Sequence, residues 1–214
     1  MSDLPETFSL QLDPPIKVKG GEVSVIELKE PRARQVRDAE ARLDERLSEA
    51  SATEYQMTLV RLVSDVPQEV VNELPIVALG QAMGFLQAFI DAGTDDEEAT
   101  VRAEEDAGGI DLDSLPATVE VPIDPPVKWQ GVEYGMIMLR QPRASELKQA
   151  RQHMRSAVTP LTVRTYQLAL LTSVSGLPPA VVDGLRIRTA TEATRHLARF
   201  IRAGRQAGKA SSAS

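Results

Sequence analysis

Apolar residues along this chain change period in a fixed order, and the order occurs twice. Phe8-Ser9-Leu10-Gln11-Leu12 and Val23-Ser24-Val25-Ile26-Glu27-Leu28 alternate on either side of Gly20-Gly21, which predicts two strands joined by a glycine turn. Ile26 and Leu28 stand two apart and share a face, the one expected to be buried. The period then lengthens. Pro31 suits the first position of a helix running to about Ala50, and its narrow stripe of Ala39, Leu43 and Leu47 among many charges predicts a peripheral helix. Thr53 with Gln56 three residues on reads as a capping box opening a second helix that carries Leu59, Val60, Leu62 and Val63. Val70, Val71 and Leu74, after Pro67, predict a short helix. Leu79, Ala82, Met83, Leu86, Phe89 and Ile90 recur at spacings of three and four, predicting a regular last helix capped by Gly93.

The second series is the first displaced along the chain by one constant offset, without a gap. Asp13-Pro14-Pro15 falls on Asp124-Pro125-Pro126, Pro31-Arg32-Ala33 on Pro142-Arg143-Ala144, and Phe89-Ile90 on Phe200-Ile201. Between 13–39 and 124–150, 12 of 27 positions are identical. The chain is a tandem duplication of one small module. The fold class expected is α+β, mostly helical: two tandem copies, each a β-hairpin followed by three to four helices. The boundaries expected are 1–93 for the first module, 94–118 for an exposed acidic linker, 119–206 for the second module and 207–214 for a disordered tail.

Composition narrows the chemistry. Aromatics make up 4% of the 214 residues, so Leu, Val, Ile, Ala and Met must fill the cores. The absence of cysteine excludes disulfides and thiolate metal sites. The first residues lack the basic start and apolar run of a signal peptide, and no stretch of about 18 apolar residues occurs, so an intracellular protein without membrane contact is expected. The net charge of −7 conceals an asymmetry: residues 1–93 carry −7, 94–121 carry −9 and 122–214 carry +9. Either the acidic parts lie against the basic second copy, or that copy faces an acidic partner.

Catalytic signatures are missing from the sequence. His153 and His196 correspond to Arg42 and Phe85, so no histidine site is repeated. Asp95-Asp96-Glu97-Glu98 lacks the alternating ligands and glycine of a calcium loop, and no glycine turn leads into a phosphate-binding helix. No enzyme activity, cofactor or metal is therefore expected. The repeated Asp-Pro-Pro and the repeated Glu22 and Glu133 are assigned to hairpin geometry. Arg186, Arg188, Arg195, Arg199, Arg202 and Arg205 crowd the last helix, and Arg195, Arg199 and Arg202 share a face. Scarce aromatics and overall negative charge disfavour nucleic acid as the partner.

The module as a whole resembles the phage tail assembly chaperones of long-tailed phages. The resemblance rests on Pro31-Arg32, Ser64-Asp65-Val66-Pro67-Gln68-Glu69-Val70-Val71 and Phe85-Leu86-Gln87-Ala88-Phe89, with Pro142-Arg143, Ser175-Gly176-Leu177-Pro178-Pro179-Ala180-Val181-Val182 and Leu197-Ala198-Arg199-Phe200 in the second copy. It covers about three quarters of the chain, and its motifs are packing patterns. It implies a non-catalytic protein of the infected bacterial host's cytoplasm, absent from the mature virion, that binds the tape measure protein and keeps it soluble during tail morphogenesis. Tail tube subunits are a further implied partner, and the opposite charges of the two halves suit head-to-tail self-association. The alternatives are a structural component of the virion tail or neck and, third, a nucleic-acid-binding regulator. The partner-binding residues expected are Met83, Phe85 and Phe89 on an exposed helix face, and Arg195, Arg199 and Arg202 on the basic one, with core packing the favoured role for Phe89 and Phe200.

Overall fold

A computed structural model of the chain describes residues 4–92, 101–102, 104, 109–112 and 115–212, with side chains up to residue 208. The first module comprises β1 (Thr7–Val18), β2 (Gly21–Lys29), α1 (Ala33–Glu40), α2 (Glu49–Ser64), α3 (Gln68–Asn72) and α4 (Ile76–Asp91). The second comprises β3 (Thr118–Trp129), β4 (Val132–Arg140), α5 (Ala144–Ala150), a 3₁₀ turn (Arg151–Met154), α6 (Pro160–Ser175), α7 (Pro179–Gly184) and α8 (Ile187–Ser212). The α+β duplication expected from the sequence is thus the observed architecture.

Each hairpin is antiparallel, with Leu10 opposite Ile26 and Val121 opposite Ile137. The pairing shifts register at equivalent places, between Gln11 and Ile16 and between Pro122 and Val127, where Asp-Pro-Pro removes two ladder donors. Both Asp-Pro bonds there are cis. Beneath the hairpins, Leu10, Ile26, Leu28, Leu59, Leu86 and Phe89 build one core. Val121, Ile137, Leu139, Leu171, Leu197 and Phe200 build the other. Glu22 and Glu133 each meet a lysine at the hairpin tip, Lys17 at 3.5 Å and Lys128 at 3.4 Å, which accounts for their repetition.

Several helix limits differ from expectation. Neither Pro31 nor Pro142 is helical; the helices open two residues later, at Ala33 and Ala144. The helix expected to reach Ala50 ends at Glu40, because no apolar residue beyond Ala39 is held in the core and Asp44 ties the chain into a turn by accepting from the N–H and hydroxyl of Ser48. Its counterpart ends at Ala150, where the 3₁₀ turn begins. Ser48, not Thr53, caps α2: its hydroxyl accepts from the N–H of Ser51, while Thr53 bonds back to the carbonyl of Glu49 inside the helix. The α2 and α6 helices both end in a left-handed residue, Asp65 at φ 57° and Gly176 at φ 70°. The last helix runs from Ile187 to Ser212, into the segment expected as a tail. Gly93 lies outside the described residues.

The largest departure concerns α1. It is not peripheral: Ala33, Val36 and Ala39 have no exposed surface, because α1 lies at the junction of the two modules. The N–H of Ala33 donates to the carbonyl of Leu185 at 2.9 Å, and the N–H of Ile187 donates to the carbonyl of Pro31 at 2.8 Å. Ala33 packs into the second core and Ile187 into the first. Pro31 is therefore extended because its carbonyl serves the neighbouring module.

Candidate partner-binding surfaces

Opposite charges close the module junction. Glu30, almost fully buried, accepts from the Arg188 guanidinium at 2.9 Å and from its backbone N–H at 3.0 Å, with Arg186 at 3.8 Å. Arg188 also lies 5.0 Å over the ring of Phe89. Arg164 donates to Glu40 at 3.1 Å, and Arg37 clasps both oxygens of Asp183 at 2.7 and 3.1 Å. Burial raises the Glu40 carboxyl above the usual carboxylate range against the opposing pull of Arg164. Between the two possibilities left by the charge asymmetry, Glu30 and Glu40 favour acidic first half against basic second half, while Arg37 and Asp183 pair in the opposite sense.

The linker follows the same logic. Glu104 accepts from Arg199 at 2.7 Å and from Arg202 at 3.3 Å. Ile110 is buried, and its N–H and carbonyl both bond to the amide of Gln206. The described part of the linker is thus held against α8 and not exposed throughout. Arg195, Arg199 and Arg202 do project from α8, but Arg199 and Arg202 are engaged by Glu104, and Arg186 and Arg188 by Glu30. Four of the six arginines that crowd this segment are thereby paired within the chain, two to each carboxylate.

Met83 and Phe89 are not on an exposed face. They are 8% and 0% exposed and belong to the first core. Phe85 is half-buried, stacked on Phe8 at 5.4 Å and edge-on to Phe89 at 5.1 Å. The spacing that marked these residues as a stripe was that of the helix's buried side.

The exposed apolar surface lies on the second hairpin, where sequence reasoning had not sought it. Trp129 pairs with Val132 at its tip, and Met136 and Met138 stand two apart on the outward face of β4. They are 40%, 52%, 42% and 46% exposed. The first-module counterparts are Val18, Gly21, Val25 and Glu27, and Glu27 accepts from the hydroxyl of Ser9 across the strands. The signal was legible as a difference between repeats: outward Val25 and Glu27 become Met136 and Met138. Leu47 and Val158, at equivalent loop positions, are exposed in both modules.

Ile76 and Val77, at the start of α4, are also exposed. Among the described residues no three or more His, Asp or Glu side chains come together as metal ligands. His153 is exposed, and burial beside Arg195 lowers the pKa of half-buried His196. No described helix is long and apolar enough to cross a membrane.

The described residues thus form a duplicated hairpin-and-helix module with a charged junction and exposed methionines on the second hairpin. The family of phage tail assembly chaperone proteins, E, or 41 or 14, matches the chain twice, over residues 9–91 and 120–202, and the chain belongs to that family. The two matched ranges stand in the same register as the internal repeat. No curated protein and no solved structure matches it significantly.

Proposed function

We propose that this chain binds the phage tape measure protein through the outward face of its second hairpin and keeps that protein soluble while the tail assembles. The observation that carries this reading is the exposure of four apolar residues on one hairpin, Trp129 and Val132 at its tip and Met136 and Met138 along β4. Unbranched, polarisable methionine side chains fit varied apolar partners without one fixed geometry, which suits a surface meeting many sites along a rod-like protein. Apolar clusters of this kind on a charged protein mark interaction sites. Having two modules in one chain raises the local concentration of the second at a repetitive target. On this reading the protein acts without catalysis in the infected cell's cytoplasm and is absent from the finished particle.

Co-expression with the tape measure protein of the same genome tests it. The wild-type chain is expected to bring the tape measure protein into the soluble fraction and to co-elute with it on size exclusion. The double variant Met136→Glu, Met138→Glu is expected to stay folded and to lose both effects. A tape measure protein that remains insoluble, together with this chain in purified virions, would favour a structural component of the tail or neck instead.

A further inference from the structure

The junction between the modules is heterologous, with different surfaces on its two sides. The first module contributes the segment around Pro31, Ala33, Arg37 and Glu40; the second contributes Arg164, Asp183, Leu185 and Ile187. Each module carries a copy of both surfaces, so one of each remains unused. The register of the repeat locates them.

The unused surface of the first module is centred on Ile76 and Val77, the first residues of α4. They are 74% and 70% exposed, whereas Ile187, the counterpart of Ile76, is fully buried in the first module's core. Beside them lies a cleft of about 610 Å³ bounded by the hairpin tip and by Glu69, Asn72 and Glu73. Asn72 is the counterpart of Asp183, which receives Arg37 at the junction. The unused surface of the second module is centred on Ala144, which is exposed although its counterpart Ala33 has no exposed surface. Around it stand exposed Arg143, Lys148 and Arg151.

Two-fold docking would have covered Ile76 and Ala144 at the same junction as Ile187 and Ala33. It does not, so the relation between the modules does not close within one chain. Charge contributes at one edge: Glu69 and Glu73 line the cleft of the first module opposite Lys17 and Lys19 of the hairpin tip, while Arg143, Lys148 and Arg151 rim the surface of the second.

We propose that a second copy of this chain covers these surfaces head to tail: Ile76 of one chain inserts beside Ala144 of the next and repeats the contact that Ile187 and Ala33 make internally. Lys148 then faces the Asn72 and Glu73 cleft, as Arg37 faces Asp183. The carbonyl of Pro142 and the N–H of Ile76, which begins a helix and has no intrahelical acceptor, repeat the bridge of Pro31 and Ile187. Modules alternate first, second, first, second along an open array or a ring. The assembly does not depend on the methionine face, so its failure would leave the proposed binding of the tape measure protein standing.

Analytical ultracentrifugation of the full chain over a concentration series tests the proposal. The wild type is expected to form species above the 23.3 kDa monomer that grow with concentration and dissociate as salt rises. Ile76→Glu and Ala144→Glu, both at exposed sites, are each expected to remain monomeric with unchanged circular dichroism. Mixed one to one they are expected to give a species of twice the monomer mass and nothing larger, because each variant retains the surface the other lacks. Val77→Lys supplies a second block on the α4 surface should Ile76→Glu alter the fold. A monomeric wild type at all concentrations, or oligomers that survive all three substitutions, would overturn the proposal.

Discussion

Arg188 and Glu30 meet across the module junction at 2.9 Å, although their counterparts in the other copy of the repeat, Val77 and Gln141, carry no charge. The duplicated module has thus acquired at this junction a charge pair for which neither repeat partner has an equivalent. Glu30 has almost no water to solvate it and depends on its arginines for compensation.

Replacing Arg188 by Val is expected to destabilise the protein by about 2 kcal/mol, the scale of losing hydrogen bonds to a charged group that is only partly exposed. Glu30→Gln alone is expected to cost less, because Arg188 can reach water. The double variant, which restores the residue types of the other copies, is expected to be more stable than the sum of the single losses implies. A urea-denaturation cycle measures the coupling; additive losses would mean that the pair contributes nothing of its own.

Glu146 makes stability sensitive to acid. Two hydrogen bonds from Arg140, at 2.9 and 2.5 Å, and one from the N–H of Arg143 lower its pKa to about 2. Its folded value lies below the ordinary 4.5, so the unfolded chain binds the proton more tightly; the contribution is present above pH 4.5 and is lost as pH falls toward 2. Melting temperatures of the wild type are expected to fall across that window. The fall is expected to be shallower in Glu146→Gln, which starts from a lower melting temperature at neutral pH.

Gly176 closes α6 at φ 70°, and apart from its own chain neighbours no atom lies within 4 Å of where a β-carbon would stand. Gly176→Ala is therefore expected to cost about 1 kcal/mol through backbone conformation alone, without a steric clash. At Asp65, where the first module already accepts a side chain at φ 57°, Asp65→Gly is expected to change stability by less. Chemical denaturation of both variants distinguishes the two sites.

Trp129 is the chain's only tryptophan and is 40% exposed on the hairpin face assigned to partner binding. Its fluorescence is expected to shift to shorter wavelength when the tape measure protein binds, as the indole leaves water. Iodide quenching is expected to weaken in parallel. An unchanged spectrum on a demonstrably formed complex would move the binding surface elsewhere on the molecule.

The sequence by itself determined the duplication and its register, the hairpin at the head of each module and the helices that follow. These depend on local chemistry: alternation around Gly20 and Gly131, apolar spacing along α4 and α8, and prolines that restart the chain. It also contained the charge asymmetry that the junction uses. Spacing alone could not say which apolar residues of α4 stay exposed, and Met83, expected on a partner-binding face, is instead core, as is Phe89, for which core packing was the favoured role. It could not separate α1 from α5 in role either, since Ala33 and Ala144 sit in the same Pro-Arg-Ala motif. Only the tertiary structure decided that Ala33 is buried against Leu185 while Ala144 is open, and that Ile187 is core while Ile76 is surface. Equal local sequences acquired unequal environments because the modules dock through unlike surfaces, and long-range packing of that kind leaves no periodic trace in the chain.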